Sequence, residues 1–219
     1  MQEIEVQAEG KFLNEFEKSI GYYFAKRTMD VLGSLFGIIV LSPLMIIVAV
    51  LIKIDSKGSI FFSQKRVGMN GKCFNMYKFR SMVANAEELK EKLKEKNEMS
   101  GPMFKMKEDP RITKIGKFIR KTSIDELPQL FNILKGEMSL VGPRPNLPKE
   151  VVHFTDYQKL KLLAKPGLTC YWQVSGRNSI DFEAWMELDI KYIKERNLWC
   201  DLKLIFKTVR VLFGDQNAA

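Results

Sequence analysis

Residues 31–52 read VLGSLFGIIVLSPLMIIVAVLI, a run of 22 positions without a charge. As a straight helix they would reach roughly 33 Å, about the thickness of a bilayer's hydrocarbon core. A cleavable leader fits poorly, because acidic residues precede the run, it is long, and no A-x-A site follows. Pro43 sits near the middle, directly after Ser42. Proline inside a helix removes a backbone donor and crowds the preceding turn, at a cost of about 3 kcal/mol. A serine hydroxyl can satisfy a carbonyl freed this way. Two readings fit: a kinked single span, or a helix that enters a membrane, turns at Ser42-Pro43 and leaves on the same side. The flanks favour the second. Lys26 and Arg27 precede the run and Lys53 and Lys57 follow it, and positive residues at both ends keep both ends cytoplasmic.

In KRTMD (26–30), Lys26 and Arg27 share a helical face with Asp30. At a membrane boundary such charges pair with one another or meet phosphate headgroups, and ordinary interface anchoring is the plainer reading. Phe12, Phe16, Ile20 and Phe24 recur every four residues and predict an amphipathic helix, for a membrane surface or a core. Residues 1–10 are expected to be loose.

Charge is unevenly placed. Residues 1–52 hold four Lys/Arg and six Asp/Glu, so the formal net charge of +9 becomes +11 in the remainder. A basic domain favours an anionic partner: nucleic acid, a phosphorylated small molecule or an anionic membrane face. Cys73, Cys170 and Cys200 are far apart and His153 is the single histidine, which argues against structural zinc and for a reducing compartment.

Residues 60–81 alternate and contain Asn70-Gly71, predicting a β-hairpin that turns at 68–71 and carries Lys65, Arg66, Lys78 and Arg80. Residues 85–98 read as a solvated charged helix, 108–113 as a turn, and 114–121 as a helix. In SIDELPQLFN (123–132) two carboxylates stand side by side. With Asp125 as N-cap, Pro128 falls at a first-turn position that needs no donor, and Gly136 closes a short helix. A capping box from Ser123 to Glu126 is the alternative start. An N-cap aspartate needs no further purpose and is worth about 1 kcal/mol. The same placement suits phosphate chemistry: one carboxylate acts as a nucleophile and its neighbour holds Mg²⁺. In LVGPRPN (140–146), Gly142 permits a tight turn and two prolines stiffen the chain around Arg144, and WQVSGR (172–177) presents Arg177 after a glycine turn. Residues 198–214 predict a helix with Leu202, Ile205, Phe206, Val209 and Phe213 on one face and Lys203, Lys207 and Arg210 on another. It fits a membrane interface or packing on the domain.

KRTMD, the apolar run with Ser42-Pro43, QKRVG, YKFRSM, DPRIT, KTSIDELPQLFNILKGEMSLVGPRP and KPGLTCYWQVSGR together resemble the bacterial sugar transferase family, the monotopic phosphoglycosyl transferases, over about residues 22–214. The resemblance implies an α/β fold of the α+β kind, mostly helical, and monotopic in the membrane. Residues 1–21 would be a variable extension, 22–56 a re-entrant membrane helix broken at Ser42-Pro43, 57–214 a cytosolic catalytic domain with a small hairpin and interfacial helices, and 215–219 a tail. The chain looks like the minimal catalytic form. The implied reaction moves a sugar-1-phosphate, of hexose type, from a UDP-sugar to polyprenol (undecaprenyl) phosphate with release of UMP. It would begin capsule, exopolysaccharide or O-antigen assembly on the cytosolic face of the bacterial inner membrane. By the same resemblance Asp125 is the nucleophile of a ping-pong sequence, Glu126 holds Mg²⁺, Arg144 contacts the nucleotide phosphate, and Lys26, Arg27 and Asp30 fix the helix at the interface. Lys65, Arg66, Lys78, Arg80 and Arg177 are further substrate candidates, since a diphosphate needs several cations. Implied partners are the donor, the polyprenol phosphate and the phospholipid bilayer, with no nucleic acid and a homodimer as an option.

One departure stands out. Cys170-Tyr171 occupy a place where the family often has glycine, predicting altered packing or altered sugar contact. The rival reading is a membrane-tethered module that binds anionic ligands without catalysis.

Overall fold

The structure, a computed structural model, describes residues 16–86, 88–89, 106, 109–176 and 180–214, the last three by their backbone only. Helix α1 (Ile20–Asp55) begins at Ser19, whose hydroxyl accepts from the Tyr22 N–H at 3.2 Å. It runs unbroken for 36 residues through Pro43. At Ser42-Pro43 the expected serine bond forms: proline leaves the Ile39 carbonyl without its donor, and Ser42 Oγ donates to it at 2.8 Å.

One stripe of α1 is inside. Lys26, Asp30, Ser34, Met45, Val48 and Ile52 are buried, and Ile38, Leu41 and Leu44 pack beside them. Gly33 and Gly37 let the helix close on Leu140 and Leu130. The helix therefore lies lengthwise on the body, and both of its ends touch it. The opposite face exposes Phe24, Leu32, Phe36, Ile39, Val40, Ile46, Ile47, Val50 and Ile54. Among the described residues α1 is the one helix long and apolar enough to cross a membrane. The four-residue repeat ahead of it does not form one face. Phe16 precedes the helix and is buried, Ile20 and Phe24 are exposed, and Phe12 lies outside the described residues.

Strands β1 (Phe61–Val67) and β2 (Cys73–Phe79) form the expected antiparallel hairpin. Its turn uses left-handed backbone at Asn70 (φ 55°) and Gly71 (φ 77°), which these residue types tolerate. Helix α2 (Lys114–Lys121) is capped by Thr113, whose hydroxyl accepts from the Gly116 N–H. A tight turn (Ile124–Glu126) leads to α3 (Gln129–Lys135), which Gly136 ends at φ 87°. Strand β3 (Ser139–Val141) pairs in parallel with β4 (Gly167–Thr169), a pairing the sequence did not announce. Between them lie α4 (Pro148–Val151) and α5 (Asp156–Lys159). After β4 come α6 (Tyr171–Val174), α7 (Phe182–Glu195) and α8 (Leu198–Gly214). Most of the charged stretch 85–98 falls outside the described residues.

Polar contacts seat the first turns of α1. Lys26 Nζ donates to Asp201 at 2.7 Å, to the Val141 carbonyl at 3.0 Å and to Tyr192 Oη at 3.2 Å. Asp30 accepts from Ser139 Oγ and the Leu140 N–H, both at 2.9 Å. Arg27 caps α3 by donating to the Ile133 and Leu134 carbonyls, each at 2.7 Å. These three residues, expected at headgroups or on one another, bind the protein's own body. Helix α8 packs on the domain through one side: Asp201 and Leu204 are buried, while Trp199, Leu202, Phe206 and Val209 are exposed. Cys170 is fully buried among Val141, Ile190 and Leu204, and Tyr171 Oη donates to Glu195 at 2.8 Å.

The Lys26–Asp201 pair is almost wholly out of water. Removing one partner of such a pair strands the other charge, at about 3–5 kcal/mol. Asp201→Ala should therefore lower stability by an amount of that order in chemical denaturation of the detergent-solubilised protein. The apolar pair Lys26→Met with Asp201→Leu should recover most of it.

Candidate active site

Asp125 and Glu126 lie in the tight turn between α2 and α3. The chain enters it through Ser123 in left-handed backbone (φ 57°), with the Glu126 N–H donating to the Ser123 carbonyl at 3.1 Å. Neither expected cap forms. Pro128 is the N-cap of α3, and the Ser123 side chain makes no cap bond. The carboxylates stand before the first helical turn of a seven-residue helix, so a helix dipole is not their counter-charge.

Side chains supply that charge. Lys78 Nζ lies 2.6 Å from Glu126 Oε1 and 3.6 Å from Asp125 Oδ2. Asn132 places Lys78 by knitting α3 to β2: its amide oxygen accepts from the Tyr77 N–H at 3.0 Å and its amide nitrogen donates to the Asn75 carbonyl at 2.8 Å. Arg144 brings Nη1 and Nη2 to 3.4 Å from Glu126 Oε1. Its guanidinium lies 5.1 Å over the Trp172 ring, a cation–π contact. Asp125 is 8% exposed. Burial pushes its pKa above the ordinary carboxylate value; Lys78 pulls it back, Glu126 raises it, and Arg120 and Arg144 pull it down again.

The loop bearing Arg144 is held along its length. Gly142 N–H donates to the Thr169 carbonyl at 2.9 Å and Gly167 N–H to the Pro143 carbonyl at 3.0 Å. A Cβ on Gly142 would stand 2.2 Å from the Lys165 carbonyl oxygen, so glycine serves the close approach of two chains here and not a turn. Arg66 Nη1 donates to the Pro145 carbonyl at 3.2 Å, and the Val67 N–H donates to the Asn146 carbonyl at 2.9 Å. Burial, then Arg144, lower the Arg66 pKa to about 10.

The structure thus gathers Asp125, Glu126, Lys78 and Arg144, and sets Arg66 behind Arg144 as a support. Hairpin register puts Lys78 and Arg66 on one face and Lys65 on the other. Arg80 is not at the carboxylates. It is buried and closes the end of α1 through the Ser56 carbonyl at 2.7 Å, Ser56 Oγ at 2.9 Å and the Lys57 carbonyl at 2.9 Å. Arg177 lies outside the described residues. Ser42 and Pro43 are within α1, and His153 is exposed on the surface. Sequence reasoning passed over Arg120, five positions before Asp125 in the helix that leads to the turn, and Trp172, visible only as part of a motif.

Residues 21–215 match the family model described as bacterial sugar transferase. The galactosyl transferase CpsE of Streptococcus agalactiae serotype III is 50% identical over 192 residues, 87% of this chain and 42% of that protein. Undecaprenyl-phosphate galactose phosphotransferase of Salmonella typhimurium is 47% identical over 199 residues, 89% of this chain and 42% of that protein. The chain spans less than half the length of these two relatives. The exopolysaccharide production protein ExoY of Rhizobium meliloti is 39% identical over 189 residues, 84% of each chain.

Folded Asp125 holds its proton more tightly than an ordinary carboxyl with a pKa of 3.8. Above that pH the folded state binds more protons than the unfolded one, so stability declines as pH rises toward the folded pKa. Asp125→Asn should therefore melt at or above the wild-type temperature at pH 7.5, with its advantage shrinking at pH 4. A drop of several degrees at pH 7.5 would contradict this reading of the site.

Proposed function

Since the chain belongs to the bacterial sugar transferase family, we propose that it transfers a hexose-1-phosphate from a UDP-sugar to polyprenol phosphate and releases UMP. The observation that carries this is a buried carboxylate, Asp125, standing among Lys78, Arg120 and Arg144. Such a group suits attack on a phosphorus whose surrounding oxygens are negative, provided cations face them. A carboxylate oxygen of Asp125 attacks the sugar-bearing phosphorus. The bond to the bridging oxygen breaks, and UMP departs with the electron pair. An oxygen of polyprenol phosphate then attacks the same phosphorus, the bond to Asp125 breaks, and the carboxylate is regenerated with the sugar now on a lipid diphosphate. Arg144 holds donor phosphate oxygens, and Lys78 passes between the carboxylates and the incoming charge.

Mg²⁺ fits this donor set. Asp125 and Glu126 offer adjacent carboxylate oxygens, and Mg²⁺ is commonly held by one or two carboxylates with substrate phosphates filling the rest. Among the described residues there is no group of three acidic, His or Cys side chains, so substrate oxygens would complete the site. When bound, the ion would screen the approach of a carboxylate to a diphosphate.

The exposed apolar face of α1, with both helix ends on one body, supports a monotopic placement at the cytosolic face of the bacterial inner membrane. The names of the two galactose-handling relatives make UDP-galactose the first donor to test. A binding module without catalysis is not favoured, because these relatives are named as transferases.

UMP release is the assay. Asp125→Asn should lower it by about 10³-fold or more, the scale of losing a nucleophile. Glu126→Gln should move the Mg²⁺ titration to higher concentration. Substantial turnover by Asp125→Asn removes Asp125 as the nucleophile, and an unchanged titration removes Glu126 as a ligand.

A further inference from the structure

Beneath the Arg144 loop lies a buried ion pair that takes no part in the chemistry above. Lys161 Nζ is 2.6 Å from Asp189 Oδ2, and the two side chains are 2% and 0% exposed. Lys161 also donates to Asn146 Oδ1 at 2.6 Å, inside the same loop. The loop's core is Pro143-Arg144-Pro145 and Asn146 follows it directly, so the Lys161 ammonium grips the chain two residues beyond Arg144.

The contacts close a circuit. The Arg144 guanidinium covers Trp172, Trp172 meets Trp185 with ring centroids 5.4 Å apart, and Lys161 Nζ lies 4.8 Å over Trp185. From Lys161 the circuit returns through Asn146 to the chain that carries Arg144. A buried ion pair is weak support for stability, since well-packed apolar residues of similar volume often serve as well or better. Here Lys161 touches the Arg144 loop and Asp189 holds Lys161, so the pair's fixed geometry has a use that packing alone would not require.

We infer that the buried Lys161–Asp189 pair is a positioning device: it sets the main chain of Arg144 from below while Trp185 and Trp172 set its guanidinium from the side. Lys161 and Asp189 are positioning residues and do not touch the reacting atoms. The assignment rests on the proposed role of Arg144 as the donor-phosphate contact.

The test is a double-mutant cycle on the full chain in detergent micelles, read as UMP release. Asp189→Asn alone should lower activity about 100-fold, the loss expected of a misplacement on the order of 1 Å. In an Arg144→Ala background the same change should cost less than about twofold, because the two act through one group. Multiplying effects would overturn the inference. The apolar pair Lys161→Met with Asp189→Leu guards against simple unfolding. It should keep the wild-type melting temperature and still lose activity, and full activity in this variant would overturn the inference. A second readout needs no turnover. The Arg144 Nε–H resonance, assigned through its absence in Arg144→Lys, should shift and broaden in the apolar pair, and an unmoved resonance would overturn the inference. Should the wild type release no UMP from any donor, the functional reading fails while this resonance still decides the positioning role.

Discussion

Two neighbouring carboxylates in a turn sheltered from water are unfavourable unless cations stand against them. Asp125 and Glu126 impose that demand, and much of the body meets it. Arg120 comes from the end of α2, directly before the turn, whereas Lys78 comes from the hairpin and Arg144 from the loop after β3. These last two do not reach the turn by local geometry. Each depends on a long-range tie: Asn132 for Lys78, and the β3–β4 pair with Arg66 for Arg144. The concentrated positive charge of the soluble part has a definite address in this cluster.

Helix α1 belongs to the same arrangement. Arg27 caps the end of α3, Asp30 fixes the start of β3, and Lys26 ties both to α8. At the other end Arg80 closes the segment after α1 while Ile52 packs with Phe79 and Ile119. A helix that only anchored a domain would need contacts at one end. This one forms a wall of the domain, so the exposed apolar face and the carboxylate turn hold a fixed relation. That relation matters for the proposed reaction, which would join a soluble donor to a lipid-borne acceptor.

Features with local causes were legible in the sequence. The hairpin followed from Asn70-Gly71, the start of α2 from Thr113, and the end of α3 from Gly136. The family followed from motifs in order, and the Asp125-Glu126 pair and Arg144, named from those motifs, stand together in the structure. Features whose causes are distant were not legible. Arg80 and Lys78 look alike, two positions apart at the end of β2, yet one turns to the end of α1 and the other to the carboxylates. Lys26 and Asp30 are spaced to pair on a helix face, but their strongest partners are residues 201 and 139–140, which no helical spacing could suggest. The proline in α1 was read correctly as a backbone deficit that a serine hydroxyl satisfies.

The covalent step at Asp125 is the centre of this account, and intact-mass spectrometry tests it most directly. The purified protein would be incubated with Mg²⁺ and UDP-galactose, then with other UDP-hexoses, in the absence of any lipid acceptor, and its peptides mapped. The account predicts release of UMP and a hexose-phosphate adduct on the peptide containing Asp125, discharged on addition of polyprenol phosphate. Transfer that proceeds only when both substrates are present, with no adduct at any stage, would contradict it.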